Sequence, residues 1–122
     1  VYAYREIQTE VVEKGVFRVQ MNESLATILI TNLLKNAFVH NVDGGHIRIE
    51  ITSHRFTFCN SGVEHSLDST HIFERFYQGT KKEGSTGLGL AIVDSICRLQ
   101  NIGLKYYFQN GEHCFEISEE QI

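Results

Sequence analysis

Three observations predict an α+β fold, a mixed sheet with its helices layered on one face. Two stretches, Ser24–His40 and Leu88–Ile102, are long and apolar enough to be core helices. HIRIEIT (46–52) alternates strictly, and RFTFC (55–59) follows as its hairpin partner. LKYYFQ (104–109) and HCFEIS (113–118) flank Asn110-Gly111, a strong hairpin signal. The resulting order is helix, strand, helix, two strands, loop, helix, two strands.

Each element has its own justification. REIQTEVVEK (5–14) is helical by composition, with Ile7, Val11 and Val12 on one face and Gly15 to end it. VFRVQ (16–20) reads as a short strand. On the Ser24–His40 helix, steps of about 100° put Ala26, Ile30, Leu33, Leu34 and Ala37 toward the core. Thr27, Thr31 and Lys35 take the water side. Asp43-Gly44-Gly45 is a turn, and Ile47, Ile49 and Ile51 share one face of the next strand. The helix from Leu88 lines up Leu88, Ile92, Ile96 and Leu99 and is closed by Gly103. Between Ser61 and Thr86 only IFERFY (72–77) interrupts an irregular stretch, and so long a loop in a compact domain is usually functional or disordered.

Composition narrows the field. The 122 residues suit one domain with one core, and 42% hydrophobic with 21% charged residues reads as soluble and globular. A net charge of −4 argues against a nucleic-acid partner. No apolar run reaches the ~20 residues of a membrane span, and no signal peptide opens the chain. The chain begins at Val1 and its one Met is Met21, so we expect a fragment of a longer protein. Cys59, Cys97 and Cys114 form no C-x-x-C pair, and three reduced cysteines in or near the core are expected. The six histidines lack zinc spacing.

Two features carry chemistry. Asn32, Asn36 and His40 form a stripe at i, i+4, i+8, shared with Leu25 and Leu29, so it does not simply face solvent. Amides there need partners, which can be neighbouring loops, water or a ligand; an asparagine oxygen suits magnesium, which prefers oxygen donors and keeps waters and phosphates in its shell. Gly84-Ser85-Thr86-Gly87-Leu88-Gly89-Leu90 precedes the last helix, where unpaired N–H groups and the helix dipole suit phosphate. Taken alone, these glycines support a phosphate cradle and a flexible hinge equally. They match neither a P-loop nor a dinucleotide or protein-kinase glycine loop.

NLLKNA (32–37), NSG (60–62), IFERFY (72–77) and GSTGLGLAIV (84–93) together resemble the asparagine, first glycine, phenylalanine and second glycine boxes of the ATP-binding catalytic domain of sensor histidine kinases. The resemblance covers roughly residues 15–118. It implies a two-layer α/β sandwich with a mixed, mostly antiparallel sheet and an ATP lid over 63–86, the Bergerat fold shared with DNA gyrase, heat-shock chaperone and mismatch-repair ATPases. It implies ATP and magnesium as ligands, with Asn36 as the metal ligand and Asn32 beside the phosphates. Asn60 resembles the adenine contact, with Gly62 giving room for the base. Phe73 and Phe76 resemble the aromatics that anchor the lid. Arg75 resembles a basic residue reaching the phosphates, and Gly84, Gly87 and Gly89 the phosphate-facing backbone.

Asn32 stands where hydrolysing relatives carry a glutamate, and an amide cannot be a general base. That fits transfer to a protein histidine on a separate dimerisation domain, and onward to a response regulator. Anti-sigma-factor serine kinases and a degenerate nucleotide-sensing or docking module are the alternatives. Asn60 replaces the usual Asp, and an amide can turn over to accept or donate. Weakened discrimination against GTP is therefore expected. His40, Lys81, Lys82 and Arg75 are candidates for positive charge missing at Val39, and Ser85 adds a hydroxyl in place of a glycine. The dimerisation helices and phosphoacceptor histidine are not recognisable. The resemblance thus implies a monomeric cytoplasmic domain, of a membrane-anchored kinase, that itself touches no membrane.

Overall fold

The computed structural model describes residues 6–64, 66–68, 71–74 and 88–119. Its elements are β1 (Gln8–Glu13), α1 (Glu23–Val39), β2 (His46–Ile51), β3 (Arg55–Asn60), α2 (Gly89–Leu99), β4 (Gly103–Gln109) and β5 (Glu112–Ser118). They build one mixed sheet in the order β1-β2-β3-β5-β4. Only the β1–β2 pair is parallel; β2–β3, β3–β5 and β4–β5 are antiparallel.

Alternation sorts the sheet into two faces. One face sends Phe58, Tyr106, Phe115 and Ile117 into a core completed by Leu29 and Leu33 of α1 and by Val93, Ile96 and Cys97 of α2. The β4–β5 hairpin turns at Asn110 and Gly111, both at positive φ (53° and 78°), as a two-residue primed turn requires.

Both helix ends have sequence causes. The Asn22 side chain caps α1 by accepting from Ser24 N at 2.8 Å and Leu25 N at 3.4 Å. Asn101, at φ 58°, ends α2. Its N–H reaches Arg98 O at 3.3 Å, and Ile102 N–H reaches Cys97 O at 3.0 Å, the paired bonds of a Schellman motif. Asn101 rather than Gly103 therefore closes the helix, and Gly103 starts β4.

Four further expectations are corrected. The expected first helix is an edge strand: Gln8–Glu13 pairs with His46–Ile51, so partner strand geometry overrides a helical composition. The expected strand at 16–20 lies outside any element, since β1 occupies the edge of β2; Phe17 instead stacks on Phe56 with centroids 6.4 Å apart. On α1 the buried line is Leu29, Leu33 and Ala37, with Ile30 exposed. On α2, Ala91, Val93, Ile96 and Cys97 are buried, whereas Ile92 is exposed and Leu99 is 72% exposed.

The three cysteines are not all reduced. Cys59 and Cys114 face each other across the β3–β5 ladder and are joined in a disulfide, on the side of the sheet opposite the helices. Cys97 is free and buried, and burial foremost pushes its thiol up to about 12.

Candidate functional site

The end of β3 holds the most unusual polar group. Asn60 is 2% exposed and lies on the helix-facing side of the sheet. Its Nδ2 donates to Ser61 O at 2.8 Å, while its Oδ1 is buried with no hydrogen-bond partner. Leaving such an acceptor unmet costs about 1–3 kcal/mol, so it calls for a donor, from water or from a ligand.

The neighbouring residues hold Ser61 beside this amide. The Ser61 hydroxyl donates to Asn41 Oδ1 and accepts from His46 N at 2.9 Å. Asn41, fully buried, also donates to His46 O at 3.0 Å and accepts from Val42 N at 2.8 Å. These bonds hold Ser61 in place, and its carbonyl accepts from Nδ2 of Asn60. In this orientation the open atom of Asn60 is the acceptor, Oδ1.

Gly62 follows. A Cβ there would lie 3.0 Å from His40 O and 3.1 Å from His113 Cδ2. The room that Gly62 gives is taken up by the chain itself. His40, half-buried, is the C-cap of α1.

Two turns earlier on α1, Asn32 donates to Ile28 O at 2.8 Å. Its Oδ1 faces the first residue of α2, where a Cβ on Gly89 would lie 3.2 Å away. Asn36 is half-buried on the same stripe. Leu88, Gly89 and Leu90, all half-buried, form the start of α2. Among the described residues no side chain caps this helix, and its first turn holds no acidic residue, in contrast to α1. The positive end of its dipole favours an anion.

α1 therefore links two polar ends. From Asn32 beside Gly89 to His40 beside Gly62 is eight residues, about 12 Å of helix at 1.5 Å per residue. That spacing suits an elongated ligand with an anionic end at α2 and a hydrogen-bond donor at Asn60.

Phe73 packs edge-on against Phe115 with centroids 6.2 Å apart, and Ile72 is buried in the core. Arg75, Phe76, Lys81, Lys82, Gly84, Ser85, Thr86 and Gly87 lie outside the described residues.

Sequence reading missed Asn41 and His113. His113 shares the inward alternation of Phe115 and Ile117, a signal that it sits on the core face.

The opposite face carries its own cluster. Glu112 is bonded by Arg48 at 2.8 Å and His46 at 2.9 Å. Burial pushes its carboxyl up, but these bonds outweigh that and leave it below the ordinary carboxylate range.

An asparagine helix meeting the glycine start of α2, with a buried open acceptor at the end of β3, is compatible with a nucleotide-binding ATPase domain. The chain belongs to the histidine kinase-, DNA gyrase B- and HSP90-like ATPase family, whose profile matches residues 21–119. It is 40% identical over 84 residues to the sensor histidine kinase RppB of Synechocystis, covering 62% of this chain and 18% of that protein. It is 38% identical over 97 residues to the heme sensor protein HssS of Staphylococcus aureus, covering 75% and 21%. The chain thus spans about a fifth of the length of these curated relatives. The catalytic domain of histidine kinase ThkA shares the fold, with a TM-score of 0.81 at 20% identity over 98% of this chain and 82% of that one. So does ThkA in complex with the response regulator protein TrrA, with a TM-score of 0.76 at 19% identity over 98% and 36%. Among the described residues no helix is long and apolar enough to cross a membrane.

Proposed function

We propose that the chain, as one domain over 1–122, binds ATP with magnesium and is the catalytic domain of a two-component sensor histidine kinase. Its phosphoryl acceptor is a histidine on a separate dimerisation domain, and an aspartate on a response regulator follows. The observation that carries the reading is the buried, unpartnered Oδ1 of Asn60, an acceptor matched to the adenine amine.

The donor set fits these ligands. Asn36 offers one hard oxygen on a stripe with no carboxylate, which suits an ion that takes its remaining ligands from water and phosphates. Bound ATP supplies the transferable phosphoryl group, and magnesium offsets its charge. The chain's share is positioning: Asn60 orients the base, and the start of α2 with Asn32 beside it holds the anionic end. Asn32 cannot activate water, so the bound nucleotide is kept for transfer rather than hydrolysis. By resemblance, 63–86 is the ATP lid, with Arg75, Lys81 and Lys82 as its basic residues. By resemblance, the chain is a cytoplasmic domain of a membrane-anchored kinase, monomeric by itself.

The test is Asn36→Ala in a full-length kinase carrying this domain. Autophosphorylation should fall about 10–100-fold, the range seen when metal holding is weakened. Unchanged autophosphorylation overturns the role given to Asn36. ATP binding without any autophosphorylation in the unaltered kinase leaves a nucleotide-sensing module.

A further inference from the structure

His113 is a buried polar side chain that the ATP reading above does not use. It is 3% exposed, on the inner face of β5, directly opposite Asn60 in the β3–β5 ladder. Its Nε2 lies 2.7 Å from Val63 O, and its Nδ1 lies 2.8 Å from the Tyr106 hydroxyl. That hydroxyl also accepts from Leu67 N at 3.0 Å.

The directions follow from chemistry. The Val63 carbonyl can only accept, so Nε2 carries the proton. In the neutral ring Nδ1 then accepts, and Tyr106 O–H donates to it. Leu67 N–H donates into the same hydroxyl. The chain of bonds Leu67–Tyr106–His113–Val63 runs from one backbone group to another through two side chains. The ring is braced by stacking on Tyr106, 17° between planes, and by Phe108 with centroids 4.7 Å apart. Its Cδ2 fills the space that a Cβ on Gly62 would need.

One side chain therefore holds Gly62, Val63 and, through Tyr106, Leu67, where the backbone leaves Asn60. We propose that His113, with Tyr106, is a positioning residue of the nucleotide site. It keeps Gly62, Val63 and Leu67 in place beside the Asn60 acceptor, so that the base meets a formed site rather than one it must order. Ordering backbone on binding weakens affinity by the entropy it consumes. This inference rests on the ATP reading of the same site.

The test measures displacement of a fluorescent ATP analogue by ATP, melting temperature, and amide hydrogen exchange at Leu67. His113→Phe keeps a ring and removes both nitrogens. His113→Gln keeps a donor for Val63. Tyr106→Phe removes the acceptor of Leu67 N–H and carries the same test should His113→Phe not fold. We expect His113→Phe and Tyr106→Phe to weaken ATP binding about tenfold, the scale of one lost buried hydrogen bond. Leu67 should exchange faster, and His113→Gln should regain most of the affinity. In a full-length kinase the loss should fall on KM for ATP with kcat kept. Equal affinity in the parent and both aromatic variants overturns this inference alone. Equal losses in Phe and Gln variants, tracking their melting temperatures, also overturn it. Failure of the unaltered chain to bind ATP overturns the ATP reading and this inference together.

Discussion

Asn32 Oδ1 stands 3.2 Å from the point where a Cβ on Gly89 would lie, so the third turn of α1 and the first residue of α2 meet closely enough that a methyl group would push Asn32 aside slightly. Asn32 is bonded to Ile28 O, and a small shift of its Oδ1 accommodates the methyl at the expense of the site beside it. Gly89→Ala should therefore affect stability and binding in opposite directions. Alanine favours helix by up to about 1 kcal/mol over glycine, less at a helix end. The melting temperature should hold or rise slightly, while ATP affinity falls. A paired thermal melt and nucleotide titration check this, and a joint fall in both would point to a packing defect alone.

Base selectivity follows from the fixed amide of Asn60. With Nδ2 committed to Ser61 O, the site offers an acceptor, which suits the adenine amine and opposes the carbonyl oxygen of guanine. ATP should compete at least about tenfold better than GTP, the scale of one mismatched buried hydrogen bond. This is stricter than the sequence alone led us to expect. Equal competition by the two nucleotides would mean that the amide turns.

Asn41→Ala should destabilise the fold without touching the nucleotide. It strips partners from Val42 N, His46 O and the Ser61 hydroxyl in a fully buried place. A loss of about 1–3 kcal/mol in urea unfolding is expected, the cost of buried groups left unmet. Asn60 depends on Ser61, so base selectivity should weaken with it.

The cysteines should separate by reagent. Without reductant the native chain should resist thiol alkylation, since Cys97 is buried with a thiol pushed up to about 12. Unfolding without reductant should expose one thiol, and adding reductant should expose three. Reduction should lower stability by about 2–4 kcal/mol, as for a bond closing a loop of this order. Mass spectrometry and denaturant midpoints measure both.

The Glu112 cluster predicts a response to acid. Burial alone would raise this carboxyl, but Arg48 and His46 hold it below its ordinary value of 4.5. A group lowered on folding stabilises the native state above its unfolded pKa, and this is lost as pH falls through the folded value. Stability should therefore decline below about pH 4.5 more steeply in the parent than in Glu112→Gln. Midpoints across an acid series read the difference.

How legible these features were depended on range. The helices α1 and α2 and the strands β2 to β5 follow from local periodicity and turn chemistry, and the structure has them. Gln8–Glu13 was misread because Ile7, Val11 and Val12 fit a helix face equally well. Its strand state comes from pairing with β2, and as an exposed edge strand it buries too little to mark its period. The Cys59–Cys114 pair became visible only once β3 and β5 were neighbours, fifty-five residues apart in the chain. The asparagine stripe and the glycine of α2 were legible as chemistry, and the structure brings Asn32 to Gly89. The Asn41, Tyr106 and His113 networks were not legible. Each joins residues from separate elements and has no spacing of its own.

The most direct test of the ATP site is an NMR titration of the chain with ATP and magnesium, following backbone amides. The account predicts saturable shifts concentrated at residues 60–63 and 88–90 and along the Asn32–His40 stripe. No shifts at millimolar ATP, or shifts confined to the outer face around Arg48 and Glu112, would contradict it.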